Sequence, residues 1–180
     1  MKIYTKAGDN GTTGLYFGGR VAKSAEPIEV NGAVDAAQAS LGWARSLSEP
    51  TSRLNELLVT VERDLWVLMA EVATLPENRR KLVAEKSLVT AAMIERLETE
   101  IDALSEEIEM PTEFVVPGDD SFSAALDVAR TVVRRAERVA VGYPLEDSLV
   151  IQYLNRLSDL VWTMARWAEG PEHRTARTQP

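Results

Sequence analysis

Cysteine is absent from the 180-residue sequence, and histidine occurs once, as His173 near the carboxyl end. The lack of cysteine excludes disulfide scaffolds, thiolate metal sites and cysteine nucleophiles. A single histidine argues against multi-histidine zinc sites, Glu-x-x-His di-iron sites and Ser-His-Asp catalysis. Any chemistry in this chain therefore depends on other side chains and on the backbone.

Basic residues are outnumbered by acidic ones, 20 Lys and Arg against 28 Asp and Glu, which gives a net charge of −8. This balance argues against a general nucleic-acid binder, although a local basic cluster can still bind a small anion. The sequence also lacks an apolar run of signal-peptide length at its amino terminus. No stretch approaches the run of about 18 apolar residues that a membrane span requires. We therefore expect a soluble cytoplasmic protein.

Glycine is concentrated at the amino terminus, where five of the ten glycines precede Glu26. We expect residues 1–26, the amino-terminal loop, to be a structured loop with at most a short extended piece. Apolar residues then recur at helical spacing in five segments, at about 27–47, 51–72, 93–108, 121–142 and 145–168. The pattern predicts an all-α antiparallel five-helix bundle in one domain, residues 1–170, followed by a flexible tail at 171–180.

Residues 6–13 of the amino-terminal loop, Lys-Ala-Gly-Asp-Asn-Gly-Thr-Thr, form the densest polar motif. Glycines let backbone N–H groups converge on an anion, while Thr12, Thr13 and Lys6 add hydroxyl donors and a positive charge. Asp9 is suited to orienting the loop or holding a Mg²⁺-bound water. The motif is not a Walker A loop. It predicts either a polyphosphate site or a glycine-rich turn that covers the bundle.

Two polar stripes follow the last two predicted helices. The stripe on the fourth helix comprises Arg130, Arg134, Glu137 and Arg138. Paired arginines with a glutamate can bind triphosphate oxygens, whereas the alternative is a solvated face with weak ion pairs. The stripe on the fifth helix is either a hydrogen-bonding site or an interhelical contact, and comprises Asn155, Asp159, Trp162 and Arg166.

Two isolated residues also attract attention. Asp35 lies in an apolar stretch of the first helix, where it is either simply exposed or paired with an arginine such as Arg130. Phe114 lies between the third and fourth helices and either packs in the core or lines a large apolar pocket. Core packing is the commoner role of phenylalanine.

Seven segments, in order, carry a family resemblance: YTKAGDNGTTGLYFGG, VAK at 21–23, NGAVDAAQASLG, RDLWVLMAEVAT, EFVVPG, ARTVVRRAER and YLNRLSDLVWTMAR. Together they resemble the ATP:cob(I)alamin adenosyltransferases of the propanediol-utilisation type. The segments follow the family's order and cover nearly the whole chain. The first, sixth and seventh are specific in combination.

The resemblance implies a five-helix bundle assembled as a homotrimer, with active sites between subunits. It implies transfer of the 5′-deoxyadenosyl group of ATP to the cobalt of cob(I)alamin, which gives adenosylcobalamin and triphosphate. It also implies a cobalamin reductase and a B12-dependent mutase as partners. The amino-terminal loop would bind ATP through the matching residues Thr5, Lys6, Gly8, Asp9, Gly11, Thr12 and Thr13, with Lys23 as a further candidate.

The remaining roles that the resemblance implies belong to the bundle. Three positions would complete the ATP and Mg²⁺ site from the neighbouring subunit: Arg134, Glu137 (the candidate Mg²⁺ ligand) and Asn155. Asp35 and Arg130 would form a salt bridge across that interface, and Phe114 would close the lower face of the corrin. Arg134, Phe114, Asp35 and Arg130 are thus the implied catalytic residues.

Three residues depart from the family's pattern. Asn10 replaces a residue that is commonly basic, and Ala36 one that is usually acidic. Asp119 replaces a usual glycine, which adds negative charge and bulk near the expected corrin pocket. These departures keep a second hypothesis open, a trimeric ATP or cobalamin carrier or sensor without efficient transfer. A purely structural bundle is the third.

Overall fold

The computed structural model describes residues 3–143, 145–171 and 174–176. Its main elements are five helices: α1 (Glu26–Ser46), α2 (Arg53–Val72), α3 (Ala91–Glu106), α4 (Ser121–Val141) and α5 (Val150–Glu169). A short antiparallel pair, β1 (Thr12–Gly14) and β2 (Arg20–Ala22), precedes them, and a 3₁₀ turn, Pro76–Lys81, follows α2. The predicted all-α five-helix fold is confirmed.

Polar side chains fix where three of the helices begin. Ser52 accepts a hydrogen bond from the backbone N–H of Asn55 at the start of α2. Thr90 caps α3 in the same manner, and the Asp120 carboxylate accepts from two N–H groups at the start of α4. Each cap satisfies backbone donors that have no partner inside the first turn. These three helices therefore start where short polar residues interrupt the apolar pattern.

The core of the bundle is built mainly by α1, α4 and α5. Helix α4 packs on both α1 and α5, α3 packs on α5, and α2 packs on α1. Fully buried leucines from all five helices meet in this core, among them Leu41, Leu58, Leu104, Leu126 and Leu157. Their burial supplies the main driving force for folding. None of the helices that the described residues form combines the length and the apolar character needed to cross a membrane.

The start of α5 differs from the prediction. The helix begins at Val150 rather than near residue 145. Asp147 has φ of 51°, in the left-handed region, which a continuous right-handed helix does not contain. Ser148 then donates a hydrogen bond of 2.7 Å to the buried carboxylate of Glu71 on α2. This long-range contact accounts for the start of α5 at Val150 rather than near residue 145.

Part of the predicted tail pairs with the connection between α3 and α4. The backbone N–H of Val116 donates to the carbonyl of Arg174 at 2.8 Å, and that of Ala176 donates to Phe114 at 2.7 Å. These bonds form an antiparallel bridge, so residues 174–176 are paired rather than frayed. The rest of the predicted tail beyond Pro171, including His173, lies outside the described residues, and its flexibility stays a prediction.

Candidate functional site

The amino-terminal loop folds into successive tight turns before β1. The N–H of Asp9 donates to the carbonyl of Lys6, and the N–H of Gly11 donates to Gly8. Gly11 has φ of 79°, a conformation that costs an alanine about 1–2 kcal/mol. The N–H of Lys23, just after β2, donates to the carbonyl of Gly11 at 2.8 Å. The loop is therefore closed onto the residue that follows the hairpin.

Gly8 leaves room for the side chain of Lys23. A Cβ atom at residue 8 would lie 3.3 Å from the Lys23 Nζ atom and 3.1 Å from the Thr12 carbonyl oxygen. Lys6, Asp9 and Lys23 are themselves exposed. Two lysines with accessible ammonium groups thus belong to the loop that the sequence predicts to bind polyphosphate.

Two threonine hydroxyl groups of the loop, those of Thr5 and Thr12, have protein partners. Thr12 Oγ1 donates to Asn10 Oδ1 at 2.7 Å and accepts from the Arg20 guanidinium at 2.8 Å. Thr5 Oγ1 accepts from the N–H of Ala7, while Thr13 lies on β1 opposite Val21. Asn10, one of the departures from the family's pattern, is thus part of the hydrogen bonding that shapes the loop.

The polar face of α4 meets α5 through Glu137. Asn155 Nδ2 on α5 donates to Glu137 Oε1 at 2.9 Å, so the structure brings these two predicted residues together. Arg134 lies one turn earlier on α4 and is exposed, and no carboxylate in the described part of the chain pairs with it. No group of three or more metal-ligating side chains occurs among the described residues. Glu137 is therefore a single carboxylate rather than part of a metal cage.

Asp35 and Arg130 are not paired within one chain. Asp35 is exposed on α1 and has no ion-pair partner among the described residues. Arg130 Nε instead donates to Asp127 Oδ1 at 3.1 Å, three residues earlier on α4. The pairing of these two residues inside one chain is therefore not observed, and the predicted bridge between two subunits stays a prediction.

Phe114 lies at a cavity of about 580 Å³ between α4, α5 and the connection that precedes α4. The cavity, called here the Phe114 cavity, is lined by residues that include Val115, Pro117, Arg130 and Trp162. Phe114 is 87% exposed. The core-packing alternative is therefore wrong for this residue, and the side chain is available to a ligand.

A buried ion network lies beneath the Phe114 cavity. It consists of Asp127, Arg130, Arg166 and Glu169. Asp127 Oδ2 accepts from Arg166 Nη2 at 2.6 Å, and the same Nη2 donates to Glu169 Oε1 at 3.0 Å. Burial raises the pKa of the Glu169 carboxyl, while the charge of Arg166 acts in the opposite direction. The network fixes the positions of two arginines that line the cavity.

Sequence reasoning missed the two acids of this network. The sequence places Arg166 in a polar stripe with an interhelical contact as one alternative, and its bond to Asp127 on α4 confirms that alternative. Asp127 precedes Arg130 by three residues, and Glu169 follows Arg166 by three. Opposite charges at this spacing lie side by side on a helix. That spacing is the signal that would have identified both acids.

A model of the cobalamin adenosyltransferase family matches residues 3–168. The chain belongs to this family. A corrinoid adenosyltransferase of Mycobacterium leprae is 36% identical over 173 residues, which are 93% of this chain and 91% of the relative. One from Citrobacter freundii is 37% identical over 172 residues, 93% and 95% of the two chains. The family identified from the sequence is thus confirmed.

Solved structures of the family share the fold. A variant PduO-type ATP:corrinoid adenosyltransferase from Lactobacillus reuteri, complexed with cobalamin and ATP, is 29% identical to this chain. The match has a TM-score of 0.87 and covers 98% of this chain and 97% of the other. The architecture of the propanediol-utilisation type is therefore confirmed, while the roles of individual residues rest on the geometry described above.

Asp119, the departure from the family's pattern near the Phe114 cavity, is paired with the tail. Its carboxylate lies 3.1 Å from Arg174 Nε and accepts a hydrogen bond from the Arg174 backbone N–H. Asp119 is not among the residues that line the cavity. Its negative charge is thus compensated by an arginine, and its side chain takes no space from a ligand in the cavity.

Proposed function

We propose that this chain transfers the 5′-deoxyadenosyl group of ATP to the cobalt of cob(I)alamin and releases triphosphate. The observation that carries this function is the family match over residues 3–168. Relatives that share more than a third of their residues with this chain are named corrinoid adenosyltransferases. A family structure complexed with cobalamin and ATP gives the two substrates together. The class of enzyme is therefore an ATP:corrinoid adenosyltransferase.

The amino-terminal loop is the proposed ATP site. Its backbone and hydroxyl groups, from Thr5, Gly8, Asp9, Gly11, Thr12 and Thr13, would surround the triphosphate, with Lys6 and Lys23 as counter-charges. The exposure of both lysines and the tight turns between them support this role. Cations that meet the departing triphosphate stabilise the negative charge as the bond to C5′ breaks.

The polar face of α4 is proposed to complete the ATP site from a neighbouring subunit of a homotrimer. Arg134 is exposed without a carboxylate partner in the described residues, which suits a side chain that contacts triphosphate oxygens. Glu137 and Asn155, held together across α4 and α5, would orient the nucleotide. Asp35 and Arg130 would bridge the two subunits. The reductase, the mutase and a cytoplasmic location stay predictions.

Mg²⁺ fits this arrangement as an ion that arrives with the nucleotide. Protein sites usually bind Mg²⁺ through one or two carboxylates together with substrate phosphates and water. Glu137 supplies one such carboxylate next to the exposed Arg134. When bound, Mg²⁺ would neutralise part of the triphosphate charge.

The Phe114 cavity is the proposed corrin site. Cob(I)alamin is a strong nucleophile, so its electron pair attacks C5′ without a side-chain base, in agreement with the absence of cysteine and the single histidine. The protein then has to align C5′ with cobalt. The exposed ring of Phe114 would exclude the lower axial ligand and water from cobalt, which makes cobalt easier to reduce.

The reaction is tested with purified protein, ATP, Mg²⁺ and chemically reduced cob(I)alamin under anaerobic conditions, by following the corrin absorbance. We expect turnover in the natural chain and its loss in Arg134→Ala. Arg135→Ala is the matched control, because Arg135 is the adjacent exposed arginine on α4 and is expected to keep full turnover. Full turnover in Arg134→Ala contradicts the proposed role of α4. ATP binding without turnover in the natural chain favours the carrier hypothesis.

A further inference from the structure

Arg20 spans the amino-terminal loop with its side chain. Its Nη2 atom donates to the carbonyl oxygen of Ala7 at 2.7 Å and to Thr12 Oγ1 at 2.8 Å. The Thr12 carbonyl lies 3.2 Å from the same atom, and Nε reaches Thr12 Oγ1 at 3.2 Å. One guanidinium group on β2 therefore fastens both ends of the segment between residues 7 and 12.

Apart from the bond between the Lys23 N–H and Gly11 and the pairing of β1 with β2, the other hydrogen bonds of the loop act over shorter spans. The turns from Lys6 to Asp9 and from Gly8 to Gly11 each close within three residues. Asn10 likewise reaches just two residues ahead, to Thr12. These bonds set local turns, whereas the Arg20 side chain sets the distance between the turns.

The chemistry of arginine suits this task. The guanidinium is planar and presents its donors in a fixed arrangement, so it can meet several oxygen atoms at once, whereas a lysine ammonium is a compact charge on a flexible chain. Among the described residues no carboxylate pairs with Arg20. Its positive charge is therefore not neutralised by a carboxylate and adds to the positive electrostatic potential around the loop.

We propose that Arg20 is a positioning residue that holds residues 7–12 in the conformation that receives the triphosphate of ATP. The inference rests on the proposed function of the loop. An exposed loop with glycines at 8 and 11 would otherwise lose conformational freedom when it binds a ligand, and this loss weakens affinity. Arg20 reduces the loss because the loop is already ordered in the free enzyme.

The expected signature of this role is a change in ATP affinity without a change in the chemical step. We expect Arg20→Ala to raise the KM for ATP by about tenfold, from the loss of several exposed hydrogen bonds. The KM for cob(I)alamin and the kcat at saturating ATP are expected to stay within about twofold, since Arg20 contacts neither the Phe114 cavity nor α4. Arg20→Lys is expected to remain impaired several-fold, because an ammonium group keeps the charge but not the planar fork.

The matched control is Arg63→Ala, which removes another exposed arginine from a part of α2 outside the proposed machinery. It is expected to leave all three constants unchanged. Hydrogen exchange without nucleotide provides a readout independent of activity. We expect the amides of residues 8–12 to exchange faster in Arg20→Ala than in the natural chain and in Arg63→Ala.

Three results would overturn the inference. Wild-type kinetics in Arg20→Ala would show that the contacts with Ala7 and Thr12 do not matter for ATP. Full recovery in Arg20→Lys would show that charge alone is needed. An equal rise in the KM for ATP and for cob(I)alamin would indicate a general structural loss. In each case the natural chain is active, so the failure is distinct from a failure of the proposed function, in which the natural chain shows no turnover.

Discussion

The two proposed substrate regions are built in opposite ways. The amino-terminal loop is exposed and is shaped by tight turns, by Asn10 and by Arg20, all of which water can reach. The Phe114 cavity instead stands on a buried ion network, in which Asp127 and Arg166 are each about one-twentieth exposed. Hydrogen bonds at the surface compete with water, whereas buried charges depend on their partners. The loop is therefore expected to affect binding, and the network to affect stability.

The largest effect is expected from Asp127→Ala. This change leaves Arg166 with Glu169 as its partner and frees the Arg130 guanidinium from its carboxylate. Removal of one partner from a buried ion pair costs about 3–5 kcal/mol, and the remaining acid places our expectation near 3 kcal/mol. The free energy of unfolding in urea measures it.

Asp159→Ala is the control for this change. Asp159 also pairs with an arginine three residues away, Arg156, but both side chains are more than one-third exposed. The loss is expected to be about 0–1 kcal/mol. If the two variants lose equal stability, the contrast between the buried network and exposed polar contacts is wrong.

A smaller effect, on binding rather than stability, is expected from Gly11→Ala. The φ of 79° at Gly11 is unfavourable for alanine by about 1–2 kcal/mol. Because the loop is exposed, it can relax in the free protein, so the strain is expected to weaken ATP binding about tenfold and to leave the unfolding midpoint nearly unchanged. Calorimetric titration with ATP measures the affinity.

Gly14→Ala supplies the matched comparison for the loop. It adds the same methyl group on β1, where no atom lies within 4 Å of the new Cβ and φ is not in the left-handed region. Its ATP affinity is expected to equal that of the natural chain. Equal weakening in both variants would point to the added volume rather than to the backbone conformation.

The pH dependence of the free energy of unfolding tests the buried network through Glu169. Burial raises the pKa of Glu169, so the folded state favours its protonated form. The stabilisation by this group is therefore complete below pH 4.5, the ordinary value, and is lost as the pH rises through the raised pKa. Glu169→Gln mimics the protonated form. We expect the natural chain to lose stability relative to this variant across that range.

Urea unfolding at a series of pH values tests this expectation. A difference between the natural chain and Glu169→Gln that is constant with pH would contradict the raised pKa. It would also mean that the network beneath the Phe114 cavity is better solvated than its contacts indicate.

The sequence was sufficient for the helices and for the polar motifs, and insufficient where distant segments meet. Apolar spacing alone predicts the five helices, because each one buries a single stripe. The late start of α5 depends on the bond between Ser148 and Glu71, which are 77 residues apart. Such contacts leave no local pattern in the sequence.

Contacts between distant segments also explain why the sequence does not reveal the roles of Arg20 and Asp119 near the proposed substrate sites. Arg20 is part of a stretch that matches the family, yet its side chain acts on Ala7 and Thr12, which are 13 and 8 residues away. Residue type alone predicts that Asp119 crowds the corrin pocket. The sequence does not show that its partner is Arg174, which lies 55 residues away in the chain. Residue type and spacing indicate what a side chain can do, whereas the fold determines which partner it meets.

Phe114→Ala is expected to have a very small effect on stability and to change the activity instead. A ring that is 87% exposed contributes little to the core, so the free energy of unfolding should change by less than about 0.5 kcal/mol. Turnover that starts from cob(II)alamin with a reductant should fall strongly, because water and the lower ligand regain access to cobalt. Turnover from preformed cob(I)alamin should fall less, since the ATP loop is intact. Full activity from cob(II)alamin would refute the proposed exclusion role, and a large loss of stability would place Phe114 with the buried network instead.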